Sequence, residues 1–235
     1  MKKLKCLAFD LDDTLLDTSG ILLPKASRQA CKTMISLGLN CTTDQCLQWR
    51  TKLAKEMSHR EIFLEIAKNF GRRPDSRWES QDIQPMARAG IDSFYNPDIP
   101  KNLPLLPFAL ENLMTLSKTY TLFLVTSGAP LTQNKKVDAA GVRGFFKKVY
   151  TLDGFKGEKK RSAFENIITS EKINPDQLLS IGNRLFEEIR QAKQLGGQTC
   201  YFKYGDHVGE VPQVPEDHAD FTVLSHQELI FTCQL

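Results

Sequence analysis

The spacing of apolar residues changes character twice along the chain. Leu4 and then Cys6 to Phe9 make an almost unbroken apolar run, the mark of a strand buried on both faces. From Ser19 to about Tyr95 the period turns helical. Ala26, Ala30, Met34 and Leu37 form one stripe that stops at Gly38, and Cys46, Trp49, Leu53 and Met57 form a second. Ile62, Ile66 and Phe70 form a third, ended by Gly71, and a weaker fourth runs from Ile83 to Phe94. Prolines 97, 100 and 104 exclude regular structure from the run Asn96 to Pro104, which reads as a return linker.

From Pro107 onward helix and strand alternate. A stripe at Ala109, Leu113 and Leu116 precedes a strand over 122–125. A helix over 132–140, a short strand over 149–152 and a helix carrying Phe164, Ile167 and Ile168 follow. Strands over 178–181, 199–202 and 221–224 and a last helix close the chain, with a polar loop over 203–219 whose Asp206, His207 and His218 read as solvated. This alternation predicts an α/β fold, a Rossmann-like, mostly parallel sheet with helices on both faces, plus a small all-helical domain. The expected boundaries are 1–15 and 104–235 for the α/β core and 16–103 for the helical insert with its hinge linkers.

Composition narrows the classes. Of 235 residues, 41% are hydrophobic and 25% charged, a globular balance rather than a disordered one. The net charge of +3 is not gathered into blocks, so neither nucleic acid nor a membrane surface is an expected partner. No run approaches the ~20 apolar residues of a membrane span. Met1-Lys2-Lys3 leads into an apolar run broken by Asp10, which no secretory signal fits. Cys6, Cys31, Cys41, Cys46, Cys200 and Cys233 lack zinc or redox spacing, and reduced thiols in a cytoplasmic protein are expected.

The candidate chemistry lies where strands end. Three carboxylates, Asp10, Asp12 and Asp13, follow the first strand. Bunched acids raise one another's pKa unless a cation or a proton separates their charges, and a divalent metal with oxygen ligands is a simple remedy. While the chain stays extended, Asp10 and Asp12 point to one face. The strand over 122–125 runs into Thr126-Ser127-Gly128, where a hydroxyl and backbone amides suit a phosphate oxygen. Lys156, Lys159 and Lys160 crowd a helix start, where an ammonium offsets a carboxylate and a phosphate together. The strand over 178–181 ends in Gly182-Asn183, with Glu187 and Glu188 beyond. Taken singly, each segment also reads as an acidic turn, a helix cap or surface charge; it is their order along one sheet that joins them.

In that order they resemble the haloacid dehalogenase-like superfamily. Its first motif, Asp-x-Asp-x-Thr-Leu after an apolar strand, stands complete at Asp10, Asp12, Thr14 and Leu15. Its second, a strand ending in Thr or Ser, matches Thr126. Its third is a lysine often followed by proline. Counting from Phe146 favours Lys159, with Lys160 in the place of the proline, and Lys156 and Lys160 remain alternatives. Its fourth commonly reads Gly-Asp, four residues, then Asp; here Asn183 and Glu188 replace the two acids.

The resemblance implies a Mg²⁺-dependent phosphatase acting on a small phosphorylated metabolite. It implies Asp10 as the nucleophile that forms an aspartyl-phosphate, and Asp12 as proton donor to the leaving oxygen and then acceptor from water. Asp12 is expected to carry a proton in its crowded surroundings. Thr126 and Lys159 are implied to hold phosphate oxygens, with the Ser127 and Gly128 amides nearby. Asp10, the Asp12 carbonyl, Asn183 and Glu188 are the implied Mg²⁺ ligands, a set weakened by the charge lost at Asn183. Asp12 favours a phosphate ester over a halide, because a halide leaves without a proton and dehalogenase relatives typically lack this residue. In that superfamily a helical insert at this point is a cap that covers the site and sets specificity. Its candidate substrate contacts are Arg50, Lys52, His59, Arg60, Arg72, Arg73 and Arg77, each of which reads equally as a solvated helix charge. The alternatives are a phosphomutase or other phosphotransferase of the same fold, and a phosphate-binding protein disabled at Asn183.

Overall fold

In a computed structural model, which describes residues 4–54, 56–74 and 82–235, the chain divides at 20/21 and 98/99. Met1 to Lys3 and the candidate contact Arg77 lie outside the described residues. The two compact units are Ile21–Asp98 and Met1–Gly20 with Ile99–Leu235, against the 15/16 and 103/104 divisions expected from the apolar pattern.

The first unit holds α1 (Leu23–Ser36), α2 (Thr43–Leu53), α3 (His59–Phe70) and α4 (Gln84–Tyr95). Local chemistry sets their starts. Thr42 and Ser58 cap α2 and α3, and Gln45 and Glu61 return the bond to the cap amides, which satisfies N–H groups no helix can pair internally. The predicted stripes merge into one core around Met34, Cys46, Ile62, Phe63, Ile66 and Met86. A Cβ at Gly90 would lie 2.5 Å from the Met34 sulfur, so this glycine lets α4 approach α1 closely.

The second unit is an α/β domain. In chain order it has β1 (Cys6–Phe9), α5 (Ala109–Leu116), β2 (Thr121–Gly128), α6 (Pro130–Ala139), β3 (Lys148–Asp153) and α7 (Lys160–Glu171). Then come β4 (Leu178–Gly182), α8 (Arg190–Lys193), β5 (Gln198–Phe202), β6 (Phe221–Val223) and α9 (His226–Thr232). The sheet order is β3-β2-β1-β4-β5-β6, and every pairing is parallel. β1 lies at the centre, with Cys6 opposite both Thr121 of β2 and Leu178 of β4. All residues of β1 and β4 are buried, so the apolar run at the N-terminus is the central strand its composition predicts. Phe164 and Ile167 of α7 and Ala192 of α8 cover the face carrying Cys6, Ala8, Phe123 and Val125. Among the described residues no helix is long and apolar enough to cross a membrane.

The polar stretch after β5 is better anchored than its composition suggests. Asp217 is fully buried and accepts two bonds from Arg190, at 2.6 and 2.8 Å, and two more from the Gln213 and Val214 amides. Glu210 accepts from the Leu185 amide at 2.6 Å and from Arg184 at 3.2 Å. The stretch therefore braces the turn that follows β4. The Arg190 bond above all, with the two amides, holds the Asp217 carboxyl down at about 2. That is below the ~3.9 of an unfolded aspartate, so the stabilisation is complete above about pH 4 and fades as pH falls toward 2. Asp217→Ala, which strands two amides and frees Arg190, is expected to cost about 1–3 kcal/mol in urea unfolding at pH 7, and clearly less at pH 3.

Candidate functional site

The site grows from the end of β1. The Asp10 amide still donates to Ile181 O at 2.9 Å, keeping the strand in the sheet. One residue on, the Leu11 carbonyl accepts from the Leu15 and Leu16 amides at 2.9 and 3.0 Å, and Asp13 takes a left-handed φ of 55°. The chain thus turns sharply just after presenting Asp10 and Asp12. Buried Asp13 receives the Ser19 amide at 2.7 Å as well as the Ser19 hydroxyl, which closes the turn.

Lys160, the first residue of α7, reaches back beneath this turn. Its Nζ is 2.5 Å from Asp10 Oδ1 and also bonds Glu188 Oε1. All three side chains are buried. Glu188 uses its other oxygen to accept from the Arg184 amide at 2.9 Å, and a Cβ on Gly182 would collide with its side chain at 2.1 Å. The glycine that ends β4 therefore makes room for the glutamate. Asn183, which follows Gly182, is buried and donates to Tyr204 O at 3.3 Å.

The geometry brings Lys160, not Lys159, to the carboxylates. Lys159 is the exposed cap residue before α7, and Lys156 is exposed and paired with Asp153. A short 3₁₀ turn over Gly154–Lys156 and left-handed Gly157 take up chain before the helix, so the inward-facing position falls one residue later than counting from Phe146 gives. Ser127 and Gly128 extend β2 past buried Thr126, half-buried at the same edge.

Two further residues, absent from the sequence reading, join the site from α6. Lys136 Nζ is 2.8 Å from Asp12 Oδ1, and Gln133 Nε2 is 2.8 Å from Asp12 Oδ2 and 2.5 Å from Thr126 Oγ1. Thr18 adds a hydroxyl on Asp12 Oδ1 at 2.5 Å. The only signal in the sequence was a Gln and a Lys three apart on one helix face.

These neighbours reverse the expected protonation. Burial pushes the Asp10 carboxyl up to about 7; Lys160 pulls it down, while Glu188 and Asp12 push it further up. Burial also acts upward on Asp12, but the charge of Lys136 and the bonds from Lys136, Thr18 and Gln133 outweigh it and hold Asp12 below its ordinary value. Of the two acids, Asp10 is the one held up and Asp12 the one held down. Lys160 is held well above the ordinary lysine value: burial lowers it, but Asp10 and Glu188 more than offset that.

The donor set suits a hard cation. Two buried carboxylates, Asp10 and Glu188, share one ammonium, and oxygen is the donor they offer. Among the described residues no three His, Cys, Asp or Glu side chains form a metal cage.

In the helical unit the basic candidates divide. Arg72 donates to Leu37 O at 3.0 Å and to Asp82 O at 2.9 and 3.1 Å, and Arg73 donates to Ile35 O at 3.2 Å. Both therefore serve carbonyls near the end of α1, where positive charge is favourable. Lys52 lies over the Trp49 ring. Arg50 is buried, 5.2 Å from the Phe94 ring centre and 3.4 Å from His59 Nδ1, while Arg60 is exposed.

A family model for haloacid dehalogenase-like hydrolases matches residues 7–202. The chain is 28% identical to a glyceraldehyde 3-phosphate phosphatase of Pyrococcus furiosus, over 98% of this chain and 93% of the relative. It is 30% identical to a glyceraldehyde 3-phosphate phosphatase of Pyrococcus abyssi, over 86% and 82%. Among solved structures, the magnesium-bound HAD-hydrolase YfnB of Bacillus subtilis shares the fold, with a TM-score of 0.67, 22% identity and 98% of both chains covered.

The two lysines at the α7 start should differ sharply in stability tests. Lys160→Met leaves Asp10 and Glu188 buried without their cation and is expected to cost about 3–5 kcal/mol in urea unfolding. Lys159→Met, on the surface, should stay within about 0.5 kcal/mol of the parent protein.

Proposed function

The chain belongs to the haloacid dehalogenase-like hydrolase family, and from that premise we propose that it is a Mg²⁺-dependent phosphatase. It cleaves a small phosphate monoester through an aspartyl-phosphate. The observation that carries this reading is the buried Asp10–Lys160–Glu188 cluster at the C-terminal edge of a parallel sheet, with Asp12 and Thr126 beside it. That edge is where α/β sheets place their chemistry.

Asp10, ionised, attacks phosphorus; the new P–O bond forms as the ester P–O bond breaks. Lys160 and the Thr126 hydroxyl hold phosphate oxygens, with the Ser127 and Gly128 amides as further donors, and neutralise charge as it shifts onto them. The leaving oxygen takes a proton from Asp12. Asp12 acquires that proton when the phosphate brings its own negative charge close, since a nearby like charge disfavours the carboxylate. In the second half Asp12 accepts a proton from water, which displaces Asp10 and releases inorganic phosphate. Asp10, the Asp12 carbonyl, Asn183 and Glu188 would hold Mg²⁺, which would supply positive charge to nucleophile and phosphate alike. Within this reading the helical unit is the specificity cap. Glyceraldehyde 3-phosphate, the substrate in the names of the Pyrococcus relatives, is the first metabolite to try.

Purified protein is expected to hydrolyse an aryl phosphate with Mg²⁺ and to stop with chelator. Asp10→Asn should lose at least ~10³-fold in kcat; full activity in that variant would sink the reading. Asn183→Asp, which restores a charge, should lower the Mg²⁺ concentration needed for half activity about tenfold.

A readout free of turnover checks the metal. In metal-free protein, ¹³C NMR should show an aspartate carboxyl titrating at about 7. Mg²⁺ favours the ionised form, so its addition should move that midpoint down; no movement would argue against Asp10 as a ligand.

A further inference from the structure

Lys136 and Gln133 are an unusual pair for a helix flank. Both are buried, although a lysine avoids burial unless its charge is matched. They stand three apart, so both face one way from α6, and both meet Asp12.

An ionised carboxylate has about four acceptor positions, and three on Asp12 are taken. Thr18 Oγ1 and Lys136 Nζ occupy Oδ1, and Gln133 Nε2 occupies one position on Oδ2. One position remains, on Oδ2. The two hydrogens of the Gln133 amide nitrogen are likewise assigned, one to Asp12 and one to Thr126 Oγ1. A hydroxyl whose oxygen accepts from Gln133 keeps its own hydrogen to donate elsewhere. One side chain thus orients both the acid–base carboxylate and the phosphate-facing hydroxyl. Gly128 leaves room for it: a Cβ there would lie 3.3 Å from the Gln133 side chain, at a φ of 151° that side-chain-bearing residues rarely adopt.

We propose that Gln133 and Lys136 are positioning residues which, with Thr18, confine proton exchange at Asp12 to one lone pair of Oδ2 and aim the Thr126 hydroxyl at the phosphate. The proposal rests on the phosphatase reading. Its reaction is the one already balanced above: one proton passes from Asp12 Oδ2 to the leaving oxygen, and one returns to the same oxygen from water.

The test compares leaving groups. An alkyl phosphate such as glycerol phosphate needs protonation as it departs, and p-nitrophenyl phosphate needs almost none. The kcat/KM value covers only the steps through loss of the leaving group, so it isolates this proton transfer. Lys136→Met and Gln133→Leu are each expected to lower kcat/KM for the alkyl ester by ~10²-fold, within the usual reach of general acid catalysis. The loss on the aryl ester should stay under about tenfold, and Lys136→Arg should recover part of the alkyl loss. Equal losses on both esters would mark the pair as merely structural and overturn the proposal, as would no loss in either variant. Asp10→Asn is run beside them. Turnover abolished there but intact in Lys136→Met and Gln133→Leu would leave the phosphatase standing and remove only this inference. Turnover surviving in Asp10→Asn would remove both.

Discussion

The sharing of one buried ammonium by two buried carboxylates governs the rest of the α/β unit. Moving Lys160, Asp10 and Glu188 out of water costs several kcal/mol for each ion and is tolerated only when the charges meet in good geometry. Each comes from a different part of the chain: the end of β1, the start of α7 and the turn after β4. Their meeting therefore demands that β1 and β4 be neighbours, that α7 begin where it does, and that β4 end in a residue without a side chain. Gly182 fulfils the last demand. Stretches that look remote from the chemistry serve the same end, for Glu210 and Asp217 hold the segment on which Glu188 is carried.

Two carboxylates two residues apart are driven in opposite directions. Burial, with Glu188 adding to it against the pull of Lys160, pushes Asp10 up, whereas Lys136 and the bonds beside it outweigh burial and pull Asp12 down. Divergent environments for neighbouring acids are a common basis for dividing labour between them. Under the proposed mechanism, Asp10 would depend on extra positive charge to be fully ionised near neutral pH, and Asp12 on the substrate's negative charge to take up a proton.

Much of this was legible in the sequence, and the failures have physical causes. The apolar run before Asp10 could only be a doubly buried strand, and the strand ending at Thr126 and Gly128 carried its turn chemistry in plain residues. Lys160 was harder. Three lysines lie within five positions, and which faces inward depends on how much chain the left-handed turn at Gly157 consumes, a quantity that periodicity does not encode. Gln133 and Lys136 look like the solvent face of a helix, because polarity cannot distinguish water from a buried carboxylate as the partner. Asp12 misled for the same reason: acidic neighbours are visible in sequence, whereas the lysine that neutralises it lies more than a hundred positions away. Arg72 and Arg73 resembled ligand contacts only because carbonyls at a helix end leave no compositional trace.

The position of β1 also bears on how the chain reaches this state. Cys6 is paired with residues 121 and 178, so the strand that leads into Asp10 acquires its neighbours late in synthesis. The helical segment 21–98, built from local contacts, emerges whole before either neighbour has been made. Such long-range pairing is slow compared with local helix packing. Until β2 and α6 have been translated, Asp10, Asp12 and Asp13 have neither a cation nor a sheet around them and stay hydrated. The same acidity that burdens the finished domain keeps its most apolar strand soluble while it waits, since flanking charge is what restrains an unpaired hydrophobic strand from joining another chain.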